Sequence, residues 1–295
     1  MLKVPSTKSH SVFSSEISAV ATAAQGESFV LETCDCYAGQ IRSEAVLRPD
    51  IDMSEFNRAT GPVEVADVTA GDWLLVDIER VSVGDHGVMA VSPGLGLLGD
   101  RVIEADSRIV PVRDGRAWVT DSLSVEIVPM VGVIGVAPGV GEVDTELPGT
   151  HGGNLDTRFV TTGNRILLQA RHEGGLLSAG DLHAAQGDGE LGGTGIEIAG
   201  EVQLSVRKVE YDGTLPAVEH PSSLSLLSSA KSISEAVRAG FDEAVELMAR
   251  WHRLDWEEAY RLTSIVSHAE ISQMVNPLQT ARITIPRQWC ALDFD

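Results

Sequence analysis

The chain has 295 residues, 43% of them apolar, enough to bury a substantial core in one large or two ordinary domains. Its 22 Lys and Arg stand against 43 Asp and Glu, a formal charge of −21, which repels polyanions and, with no local basic patch, excludes nucleic acid as a partner. No stretch approaches the roughly 20 apolar residues that cross a bilayer, so no membrane partner is expected.

Most of the acidity reads as a solvated surface. The opening residues Met1 to Ser6 lack the apolar run of a secretory leader. The three cysteines are an odd number, and Cys34 and Cys36 are too close along a strand to bridge comfortably. A reducing compartment fits, and a cytoplasmic location is the expectation.

From Ser28 to Val136, short apolar runs are broken by Gly, Pro and Asp at spacings typical of strands and turns. Ser28 to Thr33 is one strand. After the Gly71-Asp72 turn, Leu74, Val76 and Ile78 alternate with Trp73, Leu75, Asp77 and Glu79 in a second. Gly94 to Gly99 has the wrong glycine spacing for a dinucleotide loop and reads as a plain loop. Further strands are predicted at Ser124 to Pro129, Arg165 to Ala170 and Glu201 to Glu210. In the last, Val202, Leu204 and Val206 face away from a wetter Glu201, Gln203, Ser205 and Arg207, an antiparallel signature.

Beyond Pro216 to Pro221 the period changes. Ile233, Val237, Phe241, Ala244, Val245, Met248 and Trp251 recur at helical spacing, with Ser232 and Glu235 as a capping box. A second helix starts at Asp255 with Glu258 three residues on, and runs through Tyr260, Leu262 and Ile265. Both are read as packing elements, their aromatic and Met positions as core. A last strand near Ala281 to Ile285 closes the chain. The expected fold is mainly β with some α: antiparallel sandwich- or barrel-like sheets with two C-terminal helices packed on them. The boundary is placed near Pro129, giving an N-terminal β domain over 1–129 and a β/α domain carrying the site over 130–295, the two interlocked.

The chemistry concentrates between His151 and Glu190. His183 lies two residues after Asp181, which on a strand puts both on one face, and Asp188 and Glu190 repeat that spacing. His151 and Asp156 come from a separate glycine-bounded turn. Folded together, the two segments make a His/carboxylate pocket for one or two divalent ions, zinc first, with calcium, magnesium or manganese as second or alternative occupants. Asp and Gly clusters also form plain turns, and spacing alone does not separate the readings. Cys34 and Cys36, pointing together away from Asp35 on a strand, read as apolar fillers or soft ligands. No Gly-x-Ser-x-Gly elbow presents a serine nucleophile.

Phe29 to Ile41, Asn57 to Val63, His151-Gly152-Gly153-Asn154-Leu155-Asp156, Gly180 to Glu190 and the stretches around Ala259-Tyr260 and Ile271-Ser272-Gln273 closely resemble the acetamidase/formamidase family, in order and over nearly the whole chain. The resemblance implies a metal-dependent hydrolase of short-chain primary amides that releases carboxylate and ammonia through a metal-activated water, mainly β and usually a homo-oligomer, dimer or higher. Asp35, His151, Asp156, Asp181, His183, Asp188 and Glu190 match the family's motif residues, and Glu197 a further acidic position. Gly192 stands where many relatives carry a Cys, so no thiol nucleophile is available there.

On this reading Asp35, His151 and His183, with Asp156 and Asp181, are metal residues. Glu190, with Asp188, does the proton transfers, Glu190 as general base and later acid. Asn154, Gln186 and Glu197 contact substrate or orient ligands. Plain alternatives stand beside these roles: Asp35 as a turn cap, Glu197 as a solvated strand residue. At the level of the protein, the alternative is a catalytically inactive, metal-stabilised binding or scaffold protein of the same fold.

Overall fold

The computed structural model describes residues 1–292 and 294. β-Branched and leucine-rich runs separated by Gly, Pro and Asp turns pair into two large sheets. One has nine strands in the order Leu2–Val4, Phe29–Thr33, Gly200–Val209, Trp73–Val83, Arg165–Gln169, Ala217–His220, Ser223–Ala230, Gln279–Pro286 and His268–Gln273. The other has eleven, with Leu177–His183 at its centre, flanked by Met130–Gly135, Glu197–Ile198 and Ala59–Val65. Pairing is antiparallel except where Leu2–Val4 meets Phe29–Thr33 and Ala21–Ala23 meets Ala59–Val65. Strand pairs cross position 129: Trp73–Val83 is bonded to both Arg165–Gln169 and Gly200–Val209.

The inner faces of the sheets share one core, in which Leu74, Val76, Ile166, Leu168, Leu182, Val202 and Leu204 are fully buried. The alternation predicted over Glu201 to Glu210 holds at Val202, Leu204 and Val206, all buried, against an exposed Glu201, but Ser205, expected on the wet face, is buried as well. At roughly 1.5–3 kcal/mol per large apolar side chain removed from water, this layer is what fixes the register of the strands carrying the site.

Helices α1 (Ile233–His252) and α2 (Trp256–Val266) follow the predicted positions. Ser232 Oγ accepts from the Glu235 amide and an Asp255 carboxylate oxygen from that of Glu258, so each first turn has its cap. Helix α1 buries Ala244, Val245, Leu247 and Met248 against Leu224, Leu226 and Ile283 of the nine-stranded sheet. Helix α2 departs from its reading as a core element. Trp256 is 47% exposed, Tyr260 56% and Ile265 80%, because α2 packs through Ala259 and Thr263 and turns its other face outward. The strand expected over Ser124 to Pro129 stops at Glu126, and a new fully buried strand begins at Met130.

Candidate active site

Leu177–His183 is buried from end to end and presents Asp181 and His183 on one face. His183 Nε2 lies 3.3 Å from Asp181 Oδ1. The register sets Glu197 opposite His183, with Glu197 Oε2 3.1 Å from the same nitrogen. Asp156, just beyond the strand Gly152–Asn154, brings Oδ1 to 3.9 Å. Gly132, on the strand between, makes this convergence possible: a Cβ there would stand 2.6 Å from both Asp156 Oδ1 and Asp181 Oδ2. The loop after His183 returns Glu190, also buried.

Ligand atoms of Asp156, His183 and Glu190 lie within 4.8 Å of one another, as do those of Cys36, Asp181 and Glu197. Both groups open on a cleft of about 320 Å³ whose walls include Asn57, Asn154, Asn276 and Thr194, and, as apolar surface, Phe56, Leu95 and Val275. Four lining residues, Asn57, Asp156, Asp181 and Glu190, have φ of 53°, 41°, 54° and 47°. Left-handed backbone at non-glycine residues costs about 1–3 kcal/mol each and persists where the surroundings dictate a side chain's aim.

Hydrogen bonds fix the His183 ring. Gln186 Nε2 donates to the Asp156 carbonyl at 2.8 Å, which turns Gln186 Oε1 toward His183 Nδ1 at 2.7 Å. An oxygen acceptor there requires the proton on Nδ1. Nε2 therefore faces Asp181, Glu197 and Asp156, an arrangement that needs either a second proton on the ring or a cation.

The electrostatics say the same. Burial, then Asp181, pushes the Asp156 carboxyl up to about 6, and burial with Asp181 pushes Glu197 up to about 7 against the pull of His183. Burial and Asp156 raise Glu190 well above the carboxylate range. Burial alone would lower the His183 pKa, but Glu197 and Asp181 together hold it well above the usual imidazole value. Buried charge of one sign is crowded here around a single imidazole.

Asp181, His183, Asp156 and Glu190 are brought together, and with them Glu197, which only the family resemblance had singled out and which is buried rather than solvated. Asn154 lines the cleft and Gln186 holds His183. Three expected residues are not brought there. His151 O bonds to Val136 N, whereas His183 pairs with Met130. From Met130 to Val136, the residue just past the strand Met130–Gly135, is six positions, about 20 Å at ~3.3 Å per residue. The His151 ring is buried edge-on against Phe13 at 5.2 Å, and burial pushes its pKa down to about 4. Asp35 caps its own turn, Oδ1 accepting from the Gly39 amide at 2.9 Å, and the next residue, Cys36, enters the cluster instead. Asp188 is gripped by Arg282 at 2.8 and 2.7 Å and by Arg158 at 3.0 Å, which hold its carboxyl below the usual range although burial opposes them. It anchors the loop rather than lining the cleft.

Sequence reasoning missed Asn276, Arg48, Glu146 and Leu95. Asn276 Nδ2 donates to Asp156 Oδ2 at 2.6 Å and to the Asn154 carbonyl at 3.1 Å from a turn of the other sheet. No local signal marks it. Asn57 and Cys36 fall inside the segments that carry the family resemblance, and that was the available signal.

A buried, strained carboxylate–imidazole centre at the end of a sheet strand is the site of an enzyme. The sequence model of the Acetamidase/Formamidase family matches residues 3–147 and 143–289, so the chain belongs to that family and is an amide-hydrolysing enzyme. The chain is 26% identical to a formamidase of Methylophilus methylotrophus, covering 85% of this chain and 76% of the relative. It is 26% identical to an acetamidase of Mycolicibacterium smegmatis, over 67% and 65% of the two chains. The crystal structure of an acetamidase from Bacillus halodurans superposes with a TM-score of 0.96 at 34% identity, covering 98% of each chain.

Proposed function

We propose that the protein hydrolyses short-chain primary amides, of the formamide and acetamide kind, with a divalent cation at the His183 centre and zinc as the first choice. The observation that carries this is the placement of His183 Nε2 among carboxylate oxygens at 3.1, 3.3 and 3.9 Å, where either a second ring proton or a cation must sit. These spacings bracket the ~3.4 Å edge of a tetrahedron with bonds of about 2.1 Å, the geometry zinc prefers with nitrogen and oxygen ligands. Asp156 Oδ1 and Glu197 Oε2 are buried with no hydrogen-bond partner, as unfilled ligand positions would be.

Asp181, His183, Glu197 and Asp156 would hold the ion, and Cys36 Sγ stands beside Asp181 and Glu197 as a softer donor for a second one. Bound there, the cation would polarise the amide carbonyl and lower the pKa of a water toward 7. Glu190 takes the proton from the attacking water and returns it to the departing nitrogen, and the upward push on its pKa favours holding that proton between the two transfers. Gln186 keeps the ring aimed, and Asn276 orients Asp156. Asn154 Oδ1, buried and unpartnered on the wall, is placed to accept from the substrate's NH₂.

The free thiols Cys34, Cys36 and Cys290 support a reducing, cytoplasmic setting, and the exposed Trp256, Tyr260 and Ile265 support assembly of like copies. No helix among the described residues is long and apolar enough to cross a membrane. Ammonia release from formamide and acetamide, with and without chelator and after zinc is restored, tests the reading. Release that a chelator abolishes and zinc restores is expected. Chelator-resistant turnover would remove the metal, and no turnover in metal-replete protein would favour an inactive scaffold.

A further inference from the structure

The cleft is larger than the smallest amides require. Its volume of about 320 Å³ is within the ~300–1,000 Å³ of pockets that enclose small-molecule ligands, whereas acetamide has only four non-hydrogen atoms. The surplus is not uniformly apolar. Arg48 and Glu146, from separate loops, line the same cleft, and both are half-buried, farther from the core than the fully buried Asp181 and His183.

Neither side chain has a hydrogen bond or ion pair among the described residues. Arg48 lies over the Phe56 ring at 5.3 Å, a seat that steadies the guanidinium and leaves its edge free. Burial, then Asp144, pushes the Glu146 carboxyl up, and Arg48 pulls it down, so the two charges sense each other without pairing. A neutral amide in this cleft would desolvate both charges and answer neither. A simple anion would answer Arg48 and meet Glu146 as a like charge. A head group carrying both charges answers both.

We propose that Arg48 and Glu146 form a zwitterion-recognising mouth, and that the substrate class includes α-amino acids whose side chain ends in a primary amide. Arg48 takes the carboxylate, Glu146 the ammonium, and the carboxamide reaches the His183 centre. This narrows the amide-hydrolase reading and rests on it. In the reaction, water oxygen bonds to the carboxamide carbon, the C–N bond breaks, and nitrogen leaves as ammonia with the proton from that water, giving the dicarboxylic amino acid.

The experiment compares kcat/KM for glutamine and asparagine with butyramide (neutral) and glutaramate (anion only), in the wild type and in Arg48→Met and Glu146→Gln. A matched charged contact discriminates by about tenfold or more. The amino-acid amides should therefore exceed butyramide and glutaramate by at least about that factor, and each variant should collapse the ratio toward one. Butyramide turnover in each preparation reports an intact centre. Butyramide hydrolysed as well as the amino-acid amides, glutaramate matching glutamine, or a ratio untouched in both variants overturns the proposal. Failure to hydrolyse any amide overturns instead the functional reading beneath it.

Discussion

In the proposed mechanism His183 and Glu190 carry separate tasks although both lie against Asp156. The imidazole is aimed by Gln186, while Glu190 is held at left-handed φ with one oxygen unpartnered. Glu190→Gln keeps shape and removes basicity. It is expected to lower kcat by about 10²–10⁴-fold while bound metal per chain stays constant, measured together on one preparation; loss of metal with activity would make Glu190 a ligand. Gly132→Ala is the steric counterpart, since its new Cβ would meet two site carboxylates at 2.6 Å. It should abolish metal retention while the circular dichroism of the sheets persists. Retained metal would show that the carboxylates can shift aside.

At the scale of elements, the Gly187 to Glu190 loop is fixed from the opposite sheet. Arg282, 0% exposed, grips Asp188 from the strand Gln279–Pro286 and stacks on Phe159 at 4.7 Å, while Gly189 N donates to the Ser272 carbonyl. Arg282→Met strands the Asp188 carboxylate with Arg158 alone and should cost about 3 kcal/mol, read as a lower denaturant midpoint. An unchanged midpoint would show that Arg158 suffices. Much of this level was legible. The caps Ser232 and Asp255 are local signals, and alternation exposes Gly200–Val209 as a one-sided strand. The Asp181/His183 pair could be read because period two puts both on one face. The partner turn could not: His151 and Asp156 are five residues apart, and only tertiary pairing shows that Asp156 enters the centre while His151 packs on Phe13. Asn276, 120 residues from Asp156, is likewise reached only through the meeting of two sheets.

For the molecule as a whole, a metal at the proposed centre would couple pH to stability. Asp156 at about 6 and Glu197 at about 7 are raised above their ordinary 3.8 and 4.5. The folded metal-free protein then binds more protons than the unfolded chain across that window, so these groups make stability fall as pH rises from about 4 to about 7. His10 and His151, both lowered to about 4 from 6.5, act oppositely, favouring the fold as pH rises through that lower range. Both lie outside the metal-capable groups, so their contribution cancels between loaded and stripped protein. A cation bound there would take the place of the protons on Asp156 and Glu197. The gain in melting temperature on adding zinc to stripped protein should accordingly be larger at pH 8 than at pH 5. A gain independent of pH would place the ion elsewhere.

The centre itself is tested most directly by counting metal ions per chain in purified wild type, His183→Ala and His151→Ala. The proposed centre predicts that the wild type and His151→Ala retain an ion and that His183→Ala loses it. Loss in His151→Ala with retention in His183→Ala would contradict the assignment of the site.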